Sequence, residues 1–207
     1  MRRRAIAYID GFNLYFGLRS SGLRRLYWLD LPSLVRSLLK EDQELEWTHY
    51  FTARIRVAGH NISDAKRQSD YLDALGTLDA LSIHYGHYLP KSLACRSCQQ
   101  TWTAYEEKMT DVNIAVQLLA DAYDDKFDVA LLISADSDLT TPVGFVRKRF
   151  PEKSVVVAQP PGRNSQHLSR IANHSFTIGE AKFRQSQLPE SVTTASGFVI
   201  SRPAYWK

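Results

Sequence analysis

The chain has 207 residues, 44% hydrophobic and 23% charged, an ordinary globular composition long enough for one α/β domain with appendages. Its 26 Lys and Arg against 22 Asp and Glu leave a net charge of +4, compatible with a nucleic-acid partner but too small to demonstrate one. The apolar run after Met1-Arg2-Arg3-Arg4 stops at Asp10, short of the ~7–15 residues of a signal-peptide core. No stretch reaches the ~18 apolar residues of a membrane span, and two cysteines, Cys95 and Cys98, make no disulfide framework. Export and membrane insertion are therefore disfavoured, and a reducing cytoplasm is the expected location.

In chain order, Ala5 to Ile9 reads as a buried strand closed by Asp10-Gly11-Phe12-Asn13, followed by a polar-aromatic segment over 13–19. A short helix at 31–39 tolerates Pro32 in its first turn, and 47–54 alternates as a strand. The spacing of Tyr71, Leu72, Leu75, Leu78 and Leu81 predicts a long helix over 63–81, then a strand over 82–89. Residues 90–103, which carry Cys95-x-x-Cys98, break the alternation as an edge excursion. A helix ending near Tyr123, a strand at 127–134, a helix at 139–149, a strand at 154–158, a helix at 165–172 and a strand at 175–178 follow. This order predicts an α/β, three-layer domain with a mostly parallel central sheet over residues 1–180. Residues 181–207 lack a sustained period and read as a tail packing on or extending from that domain.

The chemistry gathers at strand ends. Asp10 closes the first strand, and the run Val129 to Ile133 ends in Ser134-Ala135-Asp136-Ser137-Asp138. In an open parallel sheet the crevice beyond the strand C-termini is where such residues converge. Each acid also has a plain structural role open to it: Asp10 as a turn or helix cap, Ser137 or Asp138 as the cap of the next helix. Asp111 sits above Ala115, Leu118 and Ala122 on an apolar face. Inside a helix begun by a Thr103/Glu106 capping box it needs a cation; in a helix beginning at Thr110 a dipole role suffices. Clustered carboxylates favour Mg²⁺ or Mn²⁺, and with them phosphodiester chemistry.

Three spaced motifs, Ala7-Tyr8-Ile9-Asp10-Gly11-Phe12-Asn13, Glu107-Lys108-Met109-Thr110-Asp111-Val112 and Ser134-Ala135-Asp136-Ser137-Asp138-Leu139, together resemble the NYN domain, a LabA-like branch of the PIN-like nucleases, over about residues 4–180. The resemblance implies a PIN-like sheet and Mg²⁺- or Mn²⁺-dependent cleavage of RNA. It places Asp10, Asp111, Asp136 and Asp138 at the family's acidic, metal-holding positions, and Asn13 at the polar position after the first Asp.

Lys108, beside Asp111, is a candidate phosphate contact or a solvated helix-face lysine. Arg163, in Gln159-Pro160-Pro161-Gly162-Arg163-Asn164-Ser165, is a second phosphate candidate whose plain reading is a solvated loop residue. Cys95 and Cys98 have the spacing of half a zinc site. His84 and His87 could complete it, but on one strand they would face opposite ways, so structural Zn²⁺ is open and not favoured. Lys91, Arg96, Trp102 and Tyr105 around the excursion are candidates for charge and stacking contacts with a strand. A dehydrogenase is disfavoured because no Gly-x-Gly-x-x-Gly follows the first strand, a P-loop is absent too, and an aspartyl phosphatase would fit Asp10, but Phe12 stands where its second acid is usual. The rival to a nuclease is a regulatory nucleic-acid-binding or protein-interaction module that keeps the acids without turnover. A homo-oligomer is left open.

Overall fold

The computed structural model describes residues 2–57 and 61–206, apart from the side chains of 104–107. Its centre is a six-stranded sheet built from β1 (Arg3–Asp10), β2 (Gln43–Thr52), β3 (Leu81–Tyr85), β6 (Val129–Ile133), β7 (Ser154–Gln159) and β8 (His174–Thr177) in the order β3-β2-β1-β6-β7-β8. Every pairing within it is parallel. The remaining labels fall to the hairpin β4 (His87–Ala94) and β5 (Thr101–Lys108), and to the tail pair β9 (Ser191–Thr193) and β10 (Val199–Ser201). The sheet runs outward in both directions from β1 and β6, so its order reverses between them and opens a crevice at their C-terminal ends.

The side chains alternate across the sheet as a period of two requires. Ala7, Ile9, Leu131 and Ile133 enter one core with Leu14 and Leu18 of α1 (Gly11–Ser20), Leu34 of α2 (Leu31–Leu38) and Leu75 of α3 (Ile62–Leu75). Ile6, Tyr8, Ala130 and Leu132 enter the other, with Ile114 and Leu118 of α4 (Thr110–Tyr123), Val143 of α5 (Thr140–Arg149) and Leu168 of α6 (Gln166–Ile171). Continued by two residues, this alternation turns Asp10 and Ser134 toward the α4 face.

Several boundaries differ from the sequence reading. Segment 11–20 is a helix, nucleated because Asp10 accepts the Asn13 amide at its N-cap and Leu14 and Leu18 bury at i, i+4. Helix α3 stops at Leu75 instead of 81: Gly76 follows as its C-cap, and Leu81 opens β3 instead. The excursion is an antiparallel hairpin spanning 87–108, wider than 90–103, and the backbone of Thr103 and Glu106 is strand. Residues 180–206 hold α7 (Glu180–Gln185), the β9/β10 pair and Trp206, which is buried against Tyr27, Trp28 and Tyr71. Among the described residues no helix is long and apolar enough to cross a membrane.

Candidate metal centre

Asp10, Asp111 and Asp136 each offer an oxygen, and these oxygens lie within 4.8 Å of one another. Each arrives from a different element. Asp10 ends β1, Asp136 follows β6 on the neighbouring strand, and Asp111 stands in the first turn of α4, whose apolar stripe of Ile114 and Leu118 holds it over the sheet. The helix begins at Thr110, so the capping-box start at Thr103 does not occur. Met109, in the left-handed region at φ 83, turns the chain from hairpin into helix; such a conformation costs a non-glycine residue about 1–3 kcal/mol.

The geometry around Asp10 is the most constrained. It is 2% exposed. Its Oδ1 accepts the Asn13 amide at 2.9 Å; its Oδ2 accepts the Asn13 Nδ2 and the Ser134 hydroxyl, both at 2.9 Å. A carboxylate has about four acceptor positions, so one remains, on Oδ1. Ser134 is a site residue that the acidic pattern alone does not mark. Its signal is the register: Ile9 pairs with Ile133, so residues 10 and 134 stand side by side. Asn13 also ties the two strand ends together, its Oδ1 accepting the Ala135 amide at 3.3 Å. Gly11 is required here, because a Cβ would lie 2.6 Å from the Phe51 carbonyl and 2.8 Å from the Tyr50 hydroxyl.

Burial pushes the Asp10 carboxyl above its usual range; the hydrogen bonds from Asn13 and Ser134 oppose this, and the nearby Asp136 adds to it. A divalent cation relieves both the buried charge and the repulsion. The donor set fits one: three carboxylates offering hard oxygens, at spacings a small contraction brings to the ~3–4 Å of ligands around an ion at ~2.1 Å. Asp136 caps the turn at Ser137–Leu139 by accepting the Asp138 amide at 2.9 Å, while its own amide donates to the Ser134 hydroxyl at 3.0 Å. Asp138 is exposed and lies outside the three-acid group.

Lys108 is exposed at the end of β5, opposite His87 at the hairpin base. Arg163 is exposed in a loop held against α1, where Gly17 permits close approach of Pro160 and Pro161, and its guanidinium stands 5.7 Å from the Phe16 ring centre. At the start of α6 the Ser165 hydroxyl accepts the Leu168 amide. Cys95 and Cys98 are free thiols at the hairpin tip. Hydrogen bonds from the Cys98 and Ser97 amides lower the Cys95 thiol. Among the described residues no further His, Cys, Asp or Glu joins them, and His84 is instead engaged with His49 at 2.9 Å on the central sheet. Lys91, Arg96 and Trp102 are exposed on the hairpin; the Tyr105 side chain lies outside the described residues.

Comparison with known proteins agrees with this architecture. A Vibrio parahaemolyticus protein of unknown function has a similar fold, with a TM-score of 0.56, 17% identity, and coverage of 90% of this chain and 97% of that one. The 6-hydroxy-3-succinoylpyridine 3-monooxygenase HspA of Pseudomonas putida is 29% identical over 194 aligned residues, covering 78% of this chain and 61% of that relative. This chain therefore matches less than two thirds of that relative's length. The NYN domain model matches residues 4–179, a stretch that contains all three converging acids, and the chain belongs to the NYN domain family.

Proposed function

We propose that the protein is a metal-dependent ribonuclease that hydrolyses RNA phosphodiester bonds with water. The observation that carries this reading is the convergence of Asp10, Asp111 and Asp136 within 4.8 Å at the sheet's switch point. Membership of a family whose domains are typically nucleases supports it. These three residues would hold Mg²⁺ or Mn²⁺, which when bound supplies an activated water and neutralises charge building on the scissile phosphate. Water adds to phosphorus, the bond to the leaving sugar oxygen breaks, and that oxygen takes up a proton.

The chain's own contribution is positioning. Asn13 and Ser134 fix both oxygens of Asp10, so the carboxylate does not reorganise as charge develops. Asp138, at the rim, orients water or joins a second ion, and Lys108 and Arg163 supply positive charge for the RNA backbone. The HspA relative carries the name of a monooxygenase; the all-carboxylate donor set favours hydrolysis over that activity for this chain. Incubating pure protein with labelled RNA tests the proposal: cleavage appears with Mg²⁺ or Mn²⁺, stops with chelator, and is lost in Asp136→Asn. Metal-independent binding of RNA with no cleavage would establish the regulatory binding module instead.

A further inference from the structure

A cavity of about 340 Å³ begins at the residues that follow Asp10, since Gly11 and Phe12 both line it. Its walls are aromatic. Phe12, Tyr15 and Phe16 project from α1 at helical spacing, Tyr88 comes from the hairpin, and Tyr27 and Tyr205 from the segments beside α1 and at the tail. Tyr15 and Tyr27 have ring centres 5.1 Å apart, and Phe12 meets Tyr88 edge-on at 6.5 Å. Cations flank these rings. Arg19 and Arg67 line the cavity, and the guanidiniums of Arg24 and Arg67 stand 4.1 Å and 4.5 Å from the centre of the Tyr205 ring.

A purely structural role does not account for this arrangement. Leu14 and Leu18 already supply the face of α1 that packs on the core, whereas Tyr15, Phe16 and Tyr205 are 41%, 38% and 54% exposed. Open rings beside guanidiniums form a surface that takes a planar ring carrying an anion. The volume is at the low end of the ~300–1,000 Å³ of small-molecule sites, enough for a single base with its sugar.

We propose that this slot receives one unstacked nucleobase of the RNA, from a nucleotide adjoining the phosphate placed at Asp10, Asp111 and Asp136. The assignment rests on the ribonuclease reading above and deepens it. Stacking on Tyr15 and its neighbours tolerates any base, so the slot sets the position of the cut more than its sequence. Arg19 supplies charge for the flanking phosphate, while Arg67 is held by an ion pair with Asp64, which also lines the cavity.

The test measures anisotropy of a short, end-labelled single-stranded RNA in chelator, where no turnover occurs. A series of strands each lacks one base. In the wild type, one abasic position weakens binding about tenfold, the scale of one base–aromatic stack. In Tyr15→Ala, and in the bulk-preserving Tyr15→Leu, that position no longer matters. RNA bound equally well whichever base is missing overturns the slot while leaving the cleavage reading intact. Calorimetry with adenosine and uridine 5′-monophosphates separates the two failures. Saturable binding that weakens in Tyr15→Leu supports the slot even if no RNA is cut. Absence of both nucleotide and RNA binding overturns it, as does tighter binding of benzoate, which would assign the slot to free aromatic acids.

Discussion

Two buried carboxylates lie near the two ends of helix α4, Asp121 on the helix itself and Asp10 beside Asp111 at its start, and their neighbours differ in sign. Asp121 lies ten residues after Asp111, about 15 Å along the axis, and both face the same side of the sheet. Around Asp121, which is 1% exposed, the Tyr8 hydroxyl donates at 2.8 Å, Gln117 Nε2 at 3.0 Å and Lys126 Nζ at 3.1 Å, with His49 Nε2 at 3.3 Å. Burial alone would raise this carboxyl, but the hydrogen bonds from His49, Gln117, Tyr8 and Lys126 outweigh it and hold the group far below the ordinary carboxylate range. At the other end, Asp10 receives neutral donors and lies beside two further acids, so burial keeps its carboxyl raised. One cluster is completed by the protein's own donors, the Lys126 ammonium among them. The other concentrates negative charge where a divalent ion and a phosphate fit. A buried acid alone is therefore no mark of function; the sign of its neighbours is.

The largest expected effect that sharpens this contrast is on turnover. Asp10→Asn and Asp136→Asn each lower metal-dependent RNA cleavage by at least ~10²-fold, measured as initial rate in Mn²⁺ with folding checked by circular dichroism. Asp138→Asn has the smaller effect of the four acids. Wild-type rates in both Asn variants would show that the cluster does no chemistry.

Stability should respond in the opposite pattern. Asp121→Ala strands buried partners and costs about 3–5 kcal/mol, read from urea unfolding in chelator. Asp10→Asn removes a buried charge but also turns an accepting oxygen into a donor, so in chelator it loses much less stability than Asp121→Ala, while the stabilisation that Mn²⁺ gives the wild type disappears. Equal losses in both variants would erase the distinction between the two ends of α4.

A smaller effect comes from the extension of the Asp121 network to His84, whose Nε2 lies 2.9 Å from His49 Nδ1. Desolvation first, then His49, lowers the His84 imidazole below its ordinary value. Its folded state thus favours the neutral form, so this contribution is complete above about pH 6.5 and is lost as pH falls through the lowered value. Asp121, also lowered, keeps its contribution above about pH 3.9 and loses it only at more acid pH. The urea midpoint should decline in these two separate windows, and His84→Gln should remove the upper one. An unchanged decline between pH 7 and 5 in that variant would place its origin elsewhere.

The smallest change is expected at the hairpin tip. Replacing Cys95 and Cys98 together with Ser alters turnover by about twofold or less, the scale of an exposed substitution away from the site. The expected loss is in hairpin order or RNA affinity. Stoichiometric zinc in the wild type, with turnover abolished in a folded double variant that still binds RNA, would tie the tip to the chemistry.

The parallel strands, the alternation of α and β and the strand-end acids were legible because each depends on a local period or a neighbouring residue. Val129 to Ile133 reads as a buried strand from five residues alone, and Asp10 is visible as its counterpart at the end of β1. Helix α1 was not legible, because its aromatic residues mask the Leu14–Leu18 pair and a cap is decisive only once Asp10 is seen to accept the Asn13 amide. The hairpin's true extent was hidden likewise, since the described side chains of its strands are mostly exposed and β4 lacks an apolar alternation.

What the amino-acid order determined by itself was which residue types stand at strand ends and how far apart they lie along the chain. Only the tertiary structure decided that β1 and β6 are neighbours, that Ser134 therefore reaches Asp10, and that a left-handed turn at Met109 starts α4 where Asp111 meets both strands. It also decided that Asp121, another aspartate on the same helix, is met by Lys126 and its neighbours. The reason is physical: periodicity records which face a side chain takes within its own element, while the charge it meets there depends on which other elements the sheet order and helix packing bring against that face.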